Sequence, residues 1–277
     1  MIGRITGFAY GVMCYLIFFA TFLYAIGFVG NLVVPKAIDS GPSGPLGRAL
    51  LINAGLLGLF AMQHSIMARQ WFKRAWTRVI PPQVERSTYV LLASVCLLLL
   101  FWQWQPIGGV IWSVENQAAR VAITAVSAIG WLTVLAATFW INHFDLFGLR
   151  QVYLWLRGRE YTPIEFRTPG PYRLVRHPLY LGFLMAFWSA PTMTAARLVF
   201  AVATTGYILL AIQLEEKDLV RSHGKTYRNY RDQTSMIIPL RLGKRRPGSV
   251  RNELLSNNGS GVQYQPVSSS TSRRSSH

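Results

Sequence analysis

The sequence predicts an all-α fold, a polytopic membrane bundle of five to six transmembrane helices with a C-terminal helical hairpin. Three observations indicate this class. The chain of 277 residues is 51% hydrophobic. Only 14% of its residues are charged, whereas a soluble domain carries about 25%. Several apolar runs reach the length of about 20 residues that a helix needs to cross a bilayer.

Five apolar runs are strong enough to be predicted as membrane spans, at about 8–30, 46–67, 88–112, 119–142 and 196–214. A shorter run, PLYLGFLMAFWSAP, occupies residues 178–191 between the last two. As a helix it would rise only about 21 Å, which is short for a full crossing. We therefore expect it to pair with the last run as a tight hairpin through Pro191.

The basic residues predict the orientation of these spans. With both termini inside, the inner segments would be residues 1–7, 68–87, 143–177 and 215–277. All but four of the 28 Lys and Arg residues fall in these segments. Because basic residues of membrane proteins gather on the cytoplasmic side, both termini are expected in the cytoplasm. The net charge of +17 is then explained by basic residues on the cytoplasmic side of the lipid bilayer. The bilayer is a predicted partner, and no nucleic-acid partner is predicted.

The chain divides into three predicted parts. Residues 1–142 supply N-terminal transmembrane helices, and residues 143–240 supply a cytoplasmic loop and the C-terminal hairpin that forms the cofactor site. Residues 241–277 are predicted to be a disordered tail without a catalytic role, Ser- and Gly-rich from about residue 247. Cys14 and Cys96 both lie inside apolar runs, so neither a disulfide framework nor a metal site is predicted.

A polar sequence stands at the start of the short apolar run. Pro178 suits the first position of a helix, where its missing N–H costs nothing. His177 is then the N-cap residue, and the free N–H groups of Leu179 and Tyr180 face outward with it. Such a helix start attracts anions, and Arg176 adds a positive charge beside it.

A pair of carboxylates, Glu215 and Glu216, directly follows the last apolar run, where unused charges would be costly. If the hairpin forms, this pair faces Arg176 and His177. The helix start or the arginine could bind a carboxylate, a glutamate could bind an ammonium group or ribose hydroxyls, and a tyrosine ring could contact a sulfonium. S-adenosylmethionine combines these groups. The candidate cofactor-binding residues are Arg176, His177, Tyr180, Glu215, Glu216 and Tyr227.

Simpler roles for the same residues stay open. His177 is also suited to be a plain helix cap, and the two glutamates to be a solvated helix end. Tyr227 and Tyr230 have the spacing of interfacial anchors.

The three parts of this pattern resemble the C-terminal half of the isoprenylcysteine carboxyl methyltransferases, which are membrane-embedded S-adenosylmethionine enzymes. The matching motifs are Arg176-His177-Pro178-x-Tyr180-x-Gly182, Glu215-Glu216-x-x-Leu219 and Gly224-x-x-Tyr227-x-x-Tyr230. One departure is His223, where that family often has an aromatic residue. The stretches GLFAMQHSIMAR (58–69) and FWINHFDLFGLRQVYLW (139–155) resemble the NnrU-like membrane proteins.

Over residues 1–240, the two halves together resemble the bacterial methanethiol S-methyltransferases, which convert methanethiol to dimethyl sulfide. This resemblance implies a multi-pass protein of the bacterial inner membrane with a small apolar thiol as substrate. A thiol must lose its proton to become a good nucleophile. The candidate bases are His64 and His143, at the inner ends of spans, and Asp145 could orient the imidazole of His143. No metal is implied.

Alternative functions remain at this stage. The methyl acceptor could be another thiol, a prenylated cysteine or a lipid. In an NnrU-like haem-dependent isomerase, His64 and His143 could serve as axial ligands. A membrane scaffold without catalytic activity is a further possibility, and the sequence leaves the oligomeric state open.

Overall fold

The computed structural model describes residues 1–164 and 168–239, so the tail predicted over residues 241–277 lies outside the described residues. The described part is mostly helical and has two short strands, and the predicted all-α class is confirmed. Its elements in chain order are α1 (Ile2–Gly30), α2 (Leu46–Met67), α3 (Gln70–Trp76), α4 (Pro82–Gln103), β1 (Val110–Ser113), α5 (Gln117–Ile141), α6 (His143–Leu146), α7 (Leu149–Leu156), a 3-10 helix (Gly170–Arg173), α8 (Pro178–Trp188), β2 (Thr192–Thr194) and α9 (Ala195–Gln233).

Five of these helices, α1, α2, α4, α5 and α9, are long and apolar enough to cross a membrane. The protein is therefore a multi-pass membrane protein. The third span differs from the prediction of 88–112 at both ends. Pro82 occupies the first turn of α4, where proline is well tolerated. The helix stops at Gln103, and the backbone N–H of Gln105 donates to Asn53 Oδ1 at 2.9 Å, so the chain turns away and forms β1.

The short apolar run forms α8, which has 11 residues and packs antiparallel against α5. Glycines make the contact close. A Cβ atom built on Gly182 would lie 2.7 Å from the carbonyl oxygen of Gly130, so the two backbones touch without side chains between them. Ser127 adds a hydrogen bond of 3.1 Å from its hydroxyl to the carbonyl of Ala186.

The connection from α8 to α9 forms β2, which pairs antiparallel with β1 and aligns Val110 with Thr194. Asp39 of the α1–α2 loop lies beside it. Its Oδ1 atom accepts from the Thr194 hydroxyl at 2.6 Å, and its Oδ2 atom from Nε of Arg197 at 3.1 Å. We call this region, defined by β1, β2, Asp39 and Arg197, the strand end of the bundle.

The connections of the opposite end lie in residues 68–81, 142–164 and 168–177, and we call this the basic end. Side chains join its elements. Arg69 pairs with Asp218 of α9 at 2.8 Å, and Nε of Arg86 donates to the carbonyl of Leu146 at 2.7 Å. The predicted hairpin of residues 178–191 with the last run is thus formed by α8 and α9, with its open side at the basic end.

The last helix runs far beyond the predicted apolar run of 196–214. It is interrupted at Gly224, whose φ of 54° and ψ of −122° are accessible to glycine and strained for other residues. The change of direction there brings the end of α9 back to α8. Residue Val175 forms a parallel bridge with Ser235, so the start of α8 and the end of α9 are joined by main-chain contacts.

Candidate functional site

The two polar sequences that were predicted to meet do meet at the basic end. Nε of Arg176 lies 2.8 Å from Oε1 of Glu216, and Nε2 of His177 lies 3.1 Å from the same oxygen. All three side chains are mostly buried. One carboxylate thus joins the residues before α8 to the middle of α9, and it is the shared partner of a cation and an imidazole.

Glu215, the neighbouring carboxylate, has a different environment. Its side chain is 47% exposed. The hydroxyl of Tyr180 donates to its Oε2 atom at 3.2 Å, and Nδ1 of His177 lies 4.0 Å from that atom. Burial, and then the negative charge of Glu215, raise the pKa of the Tyr172 phenol. Glu215 therefore has tyrosines around it and retains an open side on which it can accept further hydrogen bonds.

Arg176 makes more hydrogen bonds within the protein than the sequence predicts. Besides Glu216, its guanidinium donates to the carbonyls of Arg231 (2.9 Å) and Thr234 at the end of α9. Its backbone N–H donates to the carbonyl of Ser235 at 2.8 Å. Cations at a helix C-terminus satisfy carbonyls that have no partner within the helix. Arg176 thus fixes the end of α9 against the start of α8.

The predicted N-terminus of α8 is confirmed. His177 is its N-cap and Pro178 its first residue, and no side chain of the described residues caps the helix start. The carbonyl of His177 accepts the first helical hydrogen bond, from Leu181 at 3.1 Å. The amide groups of Leu179 and Tyr180 stand in the first turn, where they have no acceptor within the helix. This start lies directly beside the group of Arg176, His177 and the two glutamates.

Tyr227 lies in the interior of the basic end. It is only 1% exposed, and its ring packs at an angle against that of Tyr230, with 5.9 Å between the centroids. The hydroxyl of Tyr230 donates to the carbonyl of Tyr172. The pair thus joins the second part of α9 to the 3-10 helix, and Tyr227 contributes to packing around the site.

His64 lies in the last turn of α2 and is held by aromatic residues. Its ring nitrogens are within hydrogen-bond distance, 2.9 Å, of the hydroxyl of Tyr89 on α4, and Phe60 stacks on the ring. The next residue, Ser65, has its hydroxyl 3.2 Å from that of Tyr207 on α9. Tyr207 precedes Glu215 by two helical turns, about 12 Å along the axis. His64 therefore belongs to the α2–α4–α9 side of the same bundle end.

His143 and Asp145 do not form the pair expected from the sequence. The two ring nitrogens of His143 are each 2.8 Å from a hydroxyl, that of Tyr15 and that of Thr138. Asp145 instead accepts from Arg150 at 2.9 Å and from Tyr161 at 3.2 Å. The expectation that Asp145 orients the imidazole is wrong, because hydroxyl groups on α1 and α5 already orient it. Burial lowers the pKa of His143, which favours the neutral ring.

Two tyrosines near His64 were missed by the sequence analysis. Tyr89 lies inside an apolar run and Tyr207 inside another, and each looks there like an ordinary interfacial aromatic. The hydroxyl of Tyr89 is 2.9 Å from the ring nitrogens of His64, and that of Tyr207 is 3.2 Å from the hydroxyl of Ser65, so both tyrosines lie around the end of α2. The packing of α2, α4, α8 and α9 brings these residues together, and their spacing along the chain does not predict this packing.

Comparison of the sequence with curated proteins finds methanethiol S-methyltransferases and Nurim among its relatives. The chain is 57% identical to a methanethiol S-methyltransferase of Crocosphaera subtropica over 85% of its own length and 92% of the relative. It is 57% identical to the methanethiol S-methyltransferase of Mycobacterium tuberculosis over 83% of its own length and 94% of the relative. Nurim of Xenopus laevis is 32% identical over 60% of the chain and 61% of Nurim.

No family model matches the chain, and no solved structure matches it. The identity to the curated enzymes is nonetheless high and spans nearly all of each relative. The chain belongs to the methanethiol S-methyltransferase family.

Proposed function

We propose that this protein transfers a methyl group from S-adenosylmethionine to methanethiol and releases dimethyl sulfide. The observation that carries the substrate is the high identity, over most of the chain, to relatives named for this reaction. The observation that carries the place of the reaction is the meeting of α8 and α9 at the basic end, where Glu215 stays open beside Glu216, Arg176 and His177.

The chemical groups at this place suit S-adenosylmethionine. The uncapped start of α8 offers N–H donors and a favourable dipole to the carboxylate. Glu215 offers its open carboxylate to the ammonium group or to the ribose hydroxyls. Tyr180 and Tyr207 offer ring faces to the sulfonium. When bound, the cofactor supplies an electrophilic methyl group on a positively charged sulfur.

Arg176 and Glu216 act in this proposal as positioning residues. Each is engaged with the other and with neighbouring protein groups, so neither has to contact the cofactor. Together with His177 they keep the start of α8 next to Glu215. Because small displacements of reacting groups cost large factors in rate, this fixed geometry contributes to turnover without direct contact.

His64 is the base that the arrangement favours. The residue after it, Ser65, contacts Tyr207 on the face of α9 that leads to Glu215, whereas His143 has both ring nitrogens within hydrogen-bond distance of hydroxyls on α1 and α5. The bound cofactor would supply the methyl group, and His64 would accept the proton that methanethiol loses as its sulfur takes up that methyl group. Dimethyl sulfide and S-adenosylhomocysteine are the products. Negative and positive charge cancel in this step, which an apolar surrounding favours.

The orientation in the membrane is part of the same proposal. The Lys and Arg residues concentrated in the connections of the basic end suit the cytoplasmic side of a bacterial inner membrane. Both termini are then cytoplasmic, where S-adenosylmethionine is made. Residues 1–142 serve mainly the thiol and His64, and residues 143–240 serve the cofactor.

The test is a methyl-transfer assay with the purified protein, labelled S-adenosylmethionine and methanethiol. We expect labelled dimethyl sulfide in the headspace, detected by gas chromatography. A panel with larger thiols, a prenylated cysteine and an amino lipid identifies any other acceptor, and faster transfer to one of these would replace methanethiol as the substrate. Haem-type absorption together with no transfer would favour the isomerase alternative. Absence of both cofactor binding and transfer would favour a scaffold.

A further inference from the structure

A partly open space lies at the basic end, and the described residues that line it come from elements other than α9. It is a cavity of about 820 Å³, within the size range of small-molecule sites. Its walls come from the N-terminal ends of α1 and α4, from α3, and from the stretch between α5 and residue 161. None of the residues that we assign to the methyl-transfer site lines it, apart from Asp145, whose expected role the structure does not support.

The cavity wall carries charges of both signs. The cations are Arg4, Lys73, Arg86 and Arg159, and the carboxylates are Glu85, Asp145 and Glu160. Asp145 is already engaged with Arg150 and Tyr161. The remaining groups leave an excess of positive charge on the wall, and an anionic group inside the cavity would be attracted.

Two residues of the wall each carry a buried acceptor atom that has no hydrogen-bond partner among the described residues. These atoms are Oε1 of Glu85 and Oε1 of Gln151. The amide of Gln151 is fixed because its Nε2 donates to the carbonyl of Asp145 at 3.1 Å, so its oxygen cannot be exchanged for the NH₂ group. Buried acceptors without a donor are unfavourable. A ligand that brings N–H donors would satisfy both.

The environment of Lys73 also favours an anion in the cavity. Burial, and then the nearby charge of Arg86, lower the pKa of its ammonium group, although Glu85 acts in the opposite direction. Lys73 is therefore a desolvated cation with insufficient negative charge around it. A phosphate group near Lys73 would offset this deficit.

We propose that this cavity binds the headgroup of a phospholipid with a primary ammonium group, of the phosphatidylethanolamine class. The phosphate would face Lys73 and the arginines, and the ammonium would donate to Glu85 and Gln151. The position of the cavity argues for a lipid, since it lies where three spans and α3 end, at the level of the lipid headgroups. A diacyl lipid can keep its acyl chains in the bilayer while only its headgroup enters.

The experiment compares two lipids that differ only in their donors. The purified full-length protein is titrated with short-chain phosphatidylethanolamine and with phosphatidylcholine of the same acyl chains, and binding is followed by native mass spectrometry and by the melting temperature. Choline has the same phosphate and positive charge but no N–H. We expect about tenfold weaker binding of phosphatidylcholine, the effect of losing one charge-assisted hydrogen bond. Equal binding of both lipids would overturn the proposal.

Paired variants separate the cavity from the general attraction of a basic protein surface. Lys73→Gln should weaken phosphatidylethanolamine binding, whereas Arg74→Gln, on the same helix but outside the cavity, should not. Glu85→Gln should remove the preference for ethanolamine, whereas Glu115→Gln should keep it. Equal effects within either pair would contradict the assignment. If S-adenosylmethionine alone raises the melting temperature and Lys73→Gln abolishes that rise, the cavity belongs to the cofactor and not to a lipid.

Discussion

The two ends of the α8–α9 hairpin are held by similar groups, and the comparison between them indicates which residues are structural. At the strand end, Asp39 accepts from Thr194, Arg197 and Asn31. At the basic end, Glu216 accepts from Arg176 and His177. Both carboxylates join segments that are distant in the sequence. The difference is that a second carboxylate, Glu215, stands open beside Glu216, and the strand end has no such neighbour among the described residues.

This difference distinguishes carboxylates that hold segments of the fold together from carboxylates that can bind a ligand. A carboxylate whose oxygens are occupied by protein donors stabilises the fold, and a carboxylate with an open side can exchange water for a ligand. Asp39 and Glu216 belong to the first kind and Glu215 to the second. The variants below test this division, starting with the largest expected effect.

Glu216→Ala should have the largest effect, because it leaves Arg176 and His177 buried without their shared partner. Removing one member of a buried ion pair costs about 3 kcal/mol, and the start of α8 should move away from Glu215. We expect a lower melting temperature together with loss of S-adenosylmethionine binding by equilibrium dialysis. Asp39→Ala should lower the melting temperature to a similar degree while the folded protein still binds the cofactor. Loss of binding in both variants would remove the distinction between the ends.

His64→Gln should lower turnover by about 100-fold, the smaller end of the range for a lost general base. The affinity for S-adenosylmethionine should stay the same, since His64 is held by Tyr89 and does not contact Glu215. The measurement is the rate of dimethyl sulfide formation at saturating cofactor. His143→Gln is the matched control and should reduce stability without a comparable loss of turnover by the folded enzyme. The reverse result would transfer the role of base to His143.

Glu215→Gln should weaken cofactor binding by about tenfold and leave the melting temperature unchanged. The reason is that a charge-assisted hydrogen bond to the cofactor becomes a neutral one, while Tyr180 retains an acceptor. Isothermal titration calorimetry with S-adenosylmethionine measures this change. A large loss of stability with unchanged affinity would mean that Glu215 is a structural residue like Glu216.

Removal of residues 248–277 should have the smallest effect. The methanethiol S-methyltransferases match the chain over 83–89% of its length, and every group assigned to the reaction precedes the deleted segment. Turnover and melting temperature should remain near those of the full chain. A truncated enzyme that folds normally but no longer forms dimethyl sulfide would show that the tail takes part in catalysis.

The sequence predicted those features that depend on continuous runs and local signals. Apolar runs gave the spans, and Pro178 gave the start of α8 together with its cap. The predicted meeting of Arg176 and His177 with Glu216 also depended on a local argument, because the run of 178–191 is short for a full crossing and was therefore expected to pair with the last run. These features follow from hydropathy and from the properties of proline.

Other features depend on packing between distant helices and had no local signal. The contact of Tyr89 with His64 requires α2 and α4 to be neighbours in a particular rotation. Asp145 and His143 are close in the sequence, but their side chains point in different directions, so the predicted pairing is wrong. Asn142 has a φ of 158°, and α6 starts anew after it, so the side chains of His143 and Asp145 have different partners. The hydrogen bonds from Arg176 to the carbonyls at the end of α9 depend on the bend at Gly224, and the sequence does not specify the angle of that bend.

The shortness of α8 has a consequence for how the rate of the enzyme depends on the concentration of its substrate. Its 11 residues rise about 16 Å, roughly half of the 30 Å hydrocarbon thickness, and Gly182 packs against Gly130 near the middle of α5. We therefore expect the start of α8 to lie at the boundary between headgroups and hydrocarbon, where Glu215 meets water and a thiol dissolved in the lipid can also approach. The concentration that governs the rate is then the amount of thiol per unit of lipid. At a fixed total amount of thiol, adding empty vesicles should slow the enzyme, as dilution does in a two-dimensional solvent.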